Sequence, residues 1–406
     1  MAYVVAVQDQ YSVVGHWSGS FDEESIQRWA EQLRARLPAP QVSLGILFLT
    51  PSLFAQAEAV LEIVRLHARV PLLVGCSSTS LICDAREAED AEGLVLGLFG
   101  LPGAELKAVH FDQRDVEEAA DPDYWPRQTG VSAAQNHGWL AFLDPFHLDA
   151  EGWLRSWNTA YAPRPVLGGL ASGNAQDPVT QVYLNGEVHE EGGVAVAVGG
   201  DVELQGVVSQ GCTPIGQTWT ITKAERNLIY EIGNRPAYEV LVETFQNLPP
   251  AEQEKTRGNV FVGLVANEYR DDFQRGDFLI RGLLDFDPRS NVLAVGAWPR
   301  PGQTLQFQRR DAAAATEDLN ALLARTRRQL AGRKIYGGCL CTCNGRGSHL
   351  FDAPNHDADL IQNRLGPFGL AGFFCNGEIG PIGAQNYLHG YTASLALFVD
   401  RQRPAA

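Results

Sequence analysis

The sequence has little methionine and little positive charge. Met1 is the only methionine among 406 residues, so the chain lacks the methionine-rich surface that adapts to many partners. Lys and Arg number 32 against 48 Asp and Glu, and the formal charge of −16 repels a nucleic-acid backbone or an anionic membrane surface. We therefore expect no nucleic acid as partner, but a neutral or cationic small molecule or another protein.

Signals for export and membrane insertion are also missing. No apolar stretch approaches the roughly 20 residues that a bilayer-spanning helix needs. The start, MAYVVAVQDQ, has no basic region and no small-residue cleavage site. Seven cysteines, an odd number, fit reduced thiols better than a disulfide framework. We expect a cytoplasmic protein without membrane insertion.

Motifs for nucleotides and metals are lacking too. No Gly-Lys-Ser or Gly-Lys-Thr occurs, and no strand is followed by Gly-x-Gly-x-x-Gly, which argues against phosphate-loop and dinucleotide sites. Cys339, Cys341 and Cys343 alternate, so on a strand they point to one face with neighbours about 6.5–7 Å apart. Zinc holds each sulfur at about 2.3 Å, so we interpret them as small buried hydrophobes and expect no metal and no cofactor.

What is present is an alternation of short apolar runs with helical patterns, typical of an α/β or α+β protein. We predict strands at Ala2–Val7, Val42–Leu49, Pro71–Cys76, Gly93–Phe99, Trp139–Leu143, Ile335–Cys343, Leu370–Phe374 and Thr392–Val399. We predict helices at Asp22–Leu37, Leu53–Ala68, Pro236–Phe245, Asp311–Leu330 and Asp357–Leu365. Hairpins are expected at Leu96–Phe111, around LPGAE, and at the Asn185-Gly186 turn.

The length predicts two domains, with residues 1–213 in the first and residues 214–406 in the second. The interval from Cys76 to Phe99 equals that from Cys375 to Phe398, since 99 − 76 and 398 − 375 are both 23. Two divergent copies of one unit explain this match, and coincidence is the alternative. We predict two related units of mixed, largely antiparallel sheets layered with helices, with loops converging on a cleft.

Two short segments near the C-terminus carry the clearest functional pattern, CTCNGRG and GFFCNGEIGP. Each is an apolar run that ends at Asn-Gly and then offers one charged side chain, Arg346 or Glu378. Asn-Gly favours a turn because glycine tolerates positive φ and asparagine bonds its own backbone. We therefore expect these charges at the rim of a sheet, where binding residues commonly lie.

The sequence resembles the FIST domain family, with N-terminal and C-terminal portions in order. The segments that carry the resemblance are GCSSTS, VLGGLASGN with VYLNGEV, CLCTCNGRG, GFFCNGEIGP and YLHGYTASLALF. The resemblance implies a sensory domain of intracellular signal transduction that binds a small ligand such as an amino acid or a derivative. The signal would then pass to a downstream signalling protein, or through self-association into a homo-oligomer.

Arg346 and Glu378 suit the two ends of an amino-acid-like zwitterion. A guanidinium matches a carboxylate through two parallel hydrogen bonds, and a carboxylate accepts from an ammonium. Asn344 and Asn376 offer donors and acceptors at the same rim. The alternative is that Arg346 and Glu378 pair with each other and pin two loops.

Further candidates for ligand contact are Cys343, His389, Ser78 and Thr79. The hydroxyls at Ser78 and Thr79 would form an anion-accepting nest at a strand end, or simply bond within a turn. A nucleophilic role for Cys343 or Cys375 beside Asn-Gly amides would make a hydrolase or transferase. We favour a non-enzymatic sensor of a small polar metabolite and keep the thiol enzyme and a ligand-free interaction scaffold as alternatives.

Overall fold

The chain folds into two compact units, and the first is assembled from distant parts of the sequence. The structure, a computed structural model, describes residues 11–90, 92–173, 178–270 and 272–401. The first unit takes the described residues up to Val208, Asn320–Leu388 and those from Thr392 onward, and the second takes Ser209–Leu319 and His389–Tyr391. The predicted strand Ala2–Val7 lies outside the described residues.

Helices and strands are numbered along the chain. A first segment comprises β1 (Ser12–Trp17), α1 (Glu23–Arg36), β2 (Leu44–Leu49), α2 (Ala57–His67), β3 (Leu73–Ser77), β4 (Leu81–Cys83), β5 (Arg86–Ala88) and β6 (Leu94–Phe99). A second segment comprises β7 (Ala104–Phe111), α3 (Gln113–Glu118), α4 (Tyr124–Thr129), β8 (Asn136–Leu143), α5 (Ala150–Tyr161), β9 (Val166–Leu170), β10 (Val182–Leu184), β11 (Glu187–His189) and β12 (Gly193–Gly200).

The third segment is interrupted by the second unit. It starts with β13 (Val202–Gln210). The second unit contains β14 (Cys212–Glu225), β15 (Leu228–Ile232), β16 (Arg235–Pro236), α6 (Ala237–Gln246), α7 (Pro250–Thr256), β17 (Val260–Val265), β18 (Phe278–Asp287), β19 (Val292–Val295) and β20 (Thr304–Arg310). The chain returns with α8 (Ala312–Gln329), β21 (Ile335–Cys343), α9 (His356–Leu365), β22 (Leu370–Cys375), β23 (Glu378–Ile382), β24 (Gln385–His389) and β25 (Thr392–Asp400).

The three segments of the first unit share one topology. Their sheets have the orders β1-β6-β2-β3-β10-β11, β7-β12-β8-β9-β23-β24 and β13-β25-β21-β22-β4-β5. Each sheet holds a parallel pair, namely β2 with β3, β8 with β9, and β21 with β22. The hairpin that follows each parallel pair lies in the sheet of another segment, so the three segments are interlocked in a closed cycle.

Equivalent glycines fix how the segments align. A Cβ on Gly75, Gly168 or Gly372 would lie 1.7, 1.8 or 2.3 Å from a carbonyl oxygen of the neighbouring parallel strand. Only a residue without Cβ fits such a close approach. The chain therefore contains repeated segments, as the internal similarity suggested. There are three of them and not two, and all lie within the first unit. By this alignment Cys375 corresponds to Ser78 and not to Cys76.

The predicted linear division into residues 1–213 and 214–406 differs from the compact units. Strands from the end of the chain complete sheets that begin near its start: β4 pairs with β22, and β9 pairs with β23. The hairpin predicted at Leu96–Phe111 is wrong. β6 lies between β1 and β2, whereas β7 is an edge strand of another sheet beside β12, so the LPGAE turn joins two sheets.

Several predictions based on local chemistry are confirmed. Helix α1 starts one residue after Asp22, whose carboxylate accepts from the Ser25 amide at 2.8 Å and so caps the helix. Strands β10 and β11 form a hairpin whose turn holds Asn185 at φ +58°. The mixed and antiparallel sheets with helices also confirm the predicted α+β class.

The main core of the first unit lies where its three sheets face one another. Phe48, Phe142 and Phe373, one from each segment, have ring centroids 4.6–5.9 Å apart. Their fully buried rings hold the segments together through apolar burial and aromatic contact. The parallel strands that carry them end on one side of this core, and their ends are therefore held in fixed positions.

The second unit is an antiparallel sheet that closes on itself. Its strand order is β14-β20-β17-β18-β19-β15-β16, and β14 also pairs with β15. Closure leaves fewer unpaired strand edges. Its core includes Ile221, Val262 and Phe307. This topology differs from the three-segment arrangement of the first unit.

Candidate functional site

Arg346 is bound inside the first unit, to a partner that the sequence did not indicate. Its Nε and Nη2 atoms donate to Asp357 at 2.6 and 2.8 Å, and the side chains of Arg346 and Asp357 are 0% and 1% exposed. Although burial alone raises the pKa of Asp357, the charge and hydrogen bonds of Arg346 hold this pKa below its usual range. The structure therefore does not place Arg346 where it would contact a ligand directly.

Glu378 is also buried, and it does not pair with Arg346 by hydrogen bonds. One oxygen accepts from the Thr392 amide at 2.9 Å and from its hydroxyl, and the other accepts from the Cys375 thiol at 3.2 Å. Burial raises the pKa of Glu378 to about 7, although the bonds from Thr392 oppose this rise. Neither of the two alternatives considered for the Arg346 and Glu378 pair describes this arrangement.

The other predicted contacts are dispersed. Ser78 is buried, with its hydroxyl 2.7 and 2.9 Å from the carbonyl oxygens of Ser80 and Phe374. Cys343 is half-buried, and its sulfur accepts from the Gly345 amide at 3.4 Å. His389 is a buried residue assigned to the second unit. Among the predicted site residues, Asn344, Asn376 and Thr79 lie together in one cavity.

That cavity opens at the ends of the parallel strands of the first unit. It has a volume of about 900 Å3. Its described lining comes from all three segments and consists of Thr50, Pro51, Ser52, Thr79, Asp90, Glu92, Pro145, Phe146, Gly173, Pro178, Asn344 and Asn376. Parallel strands bring their carboxyl ends to one edge, where ligands of α/β proteins commonly bind.

Hydrogen bonds between segments hold the strand ends next to the cavity. The Asn376 amide donates to Leu170 at 3.1 Å, linking the third segment to the second, and the Ser172 amide donates to Ser77 at 3.1 Å, linking the second to the first. The bond from the Ser78 hydroxyl to Phe374 closes the cycle. Each strand end is thus held by a neighbouring segment.

Two amides from adjacent loops line one wall. Cys343 and Cys375 are paired in register at the ends of β21 and β22, so the residues after them lie side by side. Asn344 Nδ2 donates to Asn376 Oδ1 at 2.8 Å, and Asn376 Nδ2 donates to the Ala171 carbonyl at 3.0 Å. These bonds orient both amides and leave further donor and acceptor capacity for a ligand.

The charged side chains among the described lining residues are both acidic. Asp90 and Glu92 are exposed, and in the described part of the chain neither forms an ion pair. Phe146, on the wall from the second segment, exposes 48% of its surface. Together these groups give the cavity two carboxylates and an accessible aromatic ring.

Sequence reasoning missed most of this lining. A usable signal existed, because β2 and β8 are both followed by a polar residue and a proline, Thr50-Pro51 and Asp144-Pro145. This repeated strand ending marks two of the loops that meet at the cavity. Asp90 and Glu92 had no comparable signal, because the exchange of the β4–β5 hairpin determines where the loop after it lies.

The described residues contain neither a cluster of metal ligands nor a membrane-spanning helix. No group of three or more His, Cys, Asp or Glu side chains is arranged to hold a metal ion within the described ranges. The helices of that part of the chain include none that is both long and apolar enough to cross a bilayer.

Comparisons with known proteins place the chain in a family. The sequence profile of the FIST N domain matches residues 43–235, and that of the FIST C domain matches residues 237–381. An uncharacterized protein of Mycobacterium tuberculosis is 36% identical over 370 residues, which is 91% of this chain and 94% of the relative. An uncharacterized protein of Mycobacterium bovis is 36% identical over 373 residues, with the same shares of both chains.

FIST domains are associated with small-ligand sensing and signal transduction. The two profiles cover most of the chain, and both relatives match it over 91% of its length. The chain therefore belongs to the FIST family.

Proposed function

We propose that this protein is a non-enzymatic sensor that binds a small polar molecule in the cavity of its first unit and signals through a partner protein. The observation that carries the proposal is the cavity, which has about 900 Å3 of space and is lined by polar groups from three interlocked segments. Such a volume lies in the range of small-molecule sites. The association of FIST domains with ligand sensing supports the same interpretation.

Because the segments are interlocked, ligand binding in the cavity can change how the segments contact one another. A ligand shifts a conformational equilibrium only if it contacts one state better than another. Asn376 and Thr79 line the cavity, and their backbone amides also bond to the second segment, at Leu170 and at the Ser172 hydroxyl. A molecule that binds these side chains therefore acts on the contacts that hold the strand ends together.

The environment of Cys375, one of the two candidate nucleophiles, supports a binding role over a catalytic one for this residue. Burial and the neighbouring Glu378 raise the pKa of Cys375 well above its ordinary value, so at neutral pH this side chain is a thiol. A thiol-dependent hydrolase or transferase needs the thiolate as nucleophile. In this proposal Cys375 and Glu378 stabilise the strand ends behind the cavity.

A thermal-shift screen of polar metabolites tests the proposal. A ligand that binds only the folded protein stabilises it by RT ln(1 + [L]/Kd), so the shift should rise with concentration and be saturable. The variant Asn344→Leu/Asn376→Leu should bind the ligand at least about tenfold more weakly, because it removes both amide groups while leaving side chains of similar volume. Asn363→Leu, an exposed asparagine on α9, is the matched control.

Two outcomes would contradict the proposal. One is that no compound stabilises the protein while a stoichiometric protein partner is recovered, which would favour an interaction scaffold. The other is that the double variant is folded and keeps the full shift, which would place the ligand elsewhere. The variant Ser52→Trp, which fills the cavity from the wall of the first segment, checks the same point if the double variant is unstable.

A further inference from the structure

We infer that the molecule bound in this cavity is a small organic cation carrying a protonated amine, and that a carboxylate group weakens binding. The inference rests on the proposed function, because it assigns a charge to the ligand of the same site. It differs from the expectation based on sequence, in which Arg346 would hold the carboxylate of an amino acid.

The charge of the lining favours a cation. Asp90 and Glu92 are exposed at the cavity, and neither is neutralised by an ion pair with another described residue. No lysine or arginine is among the described lining residues. A cation that enters therefore meets two free carboxylates, whereas an anion meets their repulsion with no opposing positive side chain.

The guanidinium that a carboxylate ligand would need is already engaged. Arg346 is completely buried, and two of its nitrogens bind both oxygens of Asp357. Freeing this fork for a ligand would break the buried ion pair with Asp357, which is strongly unfavourable. The carboxylate of a bound amino acid would instead lie in a cavity where the charged side chains of the described lining, Asp90 and Glu92, are negative.

The neutral groups of the cavity fit the donors of an ammonium. Asn344 Nδ2 donates one proton to Asn376 Oδ1, and Asn376 Nδ2 donates one to the Ala171 carbonyl. The side-chain oxygen of Asn344 and the hydroxyl of Thr79 remain as acceptors. An ammonium has three donors and no acceptor. Phe146 is 48% exposed and lines the same cavity, so it supplies an aromatic ring of the kind that attracts cations.

Calorimetry and thermal shift with charge-matched probes test the inference. The amines are 1,4-diaminobutane, 2-phenylethylamine and ethanolamine. The uncharged controls are the N,N′-diacetyl derivative of the diamine and the N-acetyl derivatives of the other two amines. The matched carboxylates are hexanedioate, 3-phenylpropanoate and 3-hydroxypropanoate, and 4-aminobutanoate serves as the zwitterion. At least one amine should bind about tenfold more tightly than its acetylated and carboxylate counterparts, and the binding should weaken as salt rises from about 50 to 500 mM.

The variant Asp90→Asn/Glu92→Gln tests the residues. Each carboxylate removed should weaken amine binding about fivefold, because charges about 4 Å apart in water interact by roughly that factor, and binding of uncharged compounds should not change. Asparagine suits position 90, since Asp90 has φ +50° and asparagine tolerates this region. Glu58→Gln on helix α2 is the control, because Glu58 is exposed and lies outside the cavity lining.

The outcomes separate this inference from the proposed function. If carboxylates or uncharged compounds bind best, or if the double variant keeps its amine affinity, the cationic ligand is refuted while the sensor proposal stands. If no compound of any charge binds, the proposed function fails and the inference with it. If the double variant does not fold, the salt dependence of amine binding to the unmodified protein still tests whether the ligand is bound through its charge.

Discussion

Replacing Arg346 by methionine should destabilise the first unit severely. The substitution keeps an unbranched apolar side chain but removes the guanidinium, so the buried carboxylate of Asp357 keeps only the Thr342 hydroxyl and the His356 ring as side-chain partners. Breaking a buried ion pair in this way typically costs about 3–5 kcal/mol. With a urea m-value of about 2 kcal/mol per molar, the unfolding midpoint should fall by about 1.5–2.5 M.

Tryptophan fluorescence during urea unfolding measures this loss in the relevant unit. Four of the largest fully buried side chains belong to the first unit and report on its unfolding: Trp125, Trp139, Trp153 and Trp157. The control is Arg127→Met, which removes an ion pair with Asp121 whose side chains are 62% and 52% exposed. Solvent screens such an exposed pair, so it contributes little to stability and the control midpoint should change little.

A second variant separates the effect of charge from that of packing. In Arg346→Met/Asp357→Leu both charges are absent, and apolar replacement of a whole buried pair is often neutral or stabilising. The double variant should therefore be more stable than Arg346→Met alone. The reasoning is refuted if Arg346→Met shifts the midpoint by less than about 0.5 M, or if the double variant recovers nothing.

Two further predictions concern Glu378 and the glycines. The folded protein keeps the proton of Glu378 up to pH about 7, whereas an unfolded glutamate loses it near pH about 4.3, so folding binds protons in this window and stability falls as pH rises through it. Glu378→Gln should remove about 3 kcal/mol of that fall between pH 5 and pH 8 in urea titrations, and an unchanged pH profile would contradict the assigned pKa. Gly168→Ala should cost at least about 2 kcal/mol of unfolding free energy, because its Cβ would lie 1.8 Å from the Ala141 carbonyl oxygen at φ +145°. Gly186→Ala, with no atom within 4 Å of the added Cβ, should change the unfolding free energy by no more than about 0.5 kcal/mol. Scanning calorimetry of both variants measures the difference, and equal losses would refute the close contact at Gly168.

Because each hairpin pairs with the sheet of another segment, the buried charged residues lie close to contacts between segments. Glu378 starts β23, which pairs with β9 of the second segment, and Glu87 in β5 accepts from the Ala358 amide of α9 in the third. Burial, with a contribution from Asp357, raises the pKa of Glu87 to about 7. The Glu87 carboxylate thus connects the first segment to the third beside Asp357, whereas the Glu378 carboxyl is bound by Cys375 and Thr392 of its own segment.

The sequence by itself determined features that depend on neighbouring residues. Helix α1 follows from its apolar spacing and the Asp22 cap, and the β10–β11 hairpin follows from Asn185-Gly186. The FIST family could also be recognised from motif order. These signals are readable because a cap or a turn closes its hydrogen bonds within a few residues.

Only the tertiary structure revealed the partner of Arg346, the presence of a third repeated segment and the cavity. Asp357 follows Arg346 by eleven positions and meets it because α9 packs against the end of β21. Asp90 and Glu92 join Asn344 and Asn376 in one cavity because the β4–β5 hairpin enters the sheet of another segment. Strand pairing across hundreds of residues depends on the packing of whole faces, and apolar alternation along one strand is compatible with many such pairings.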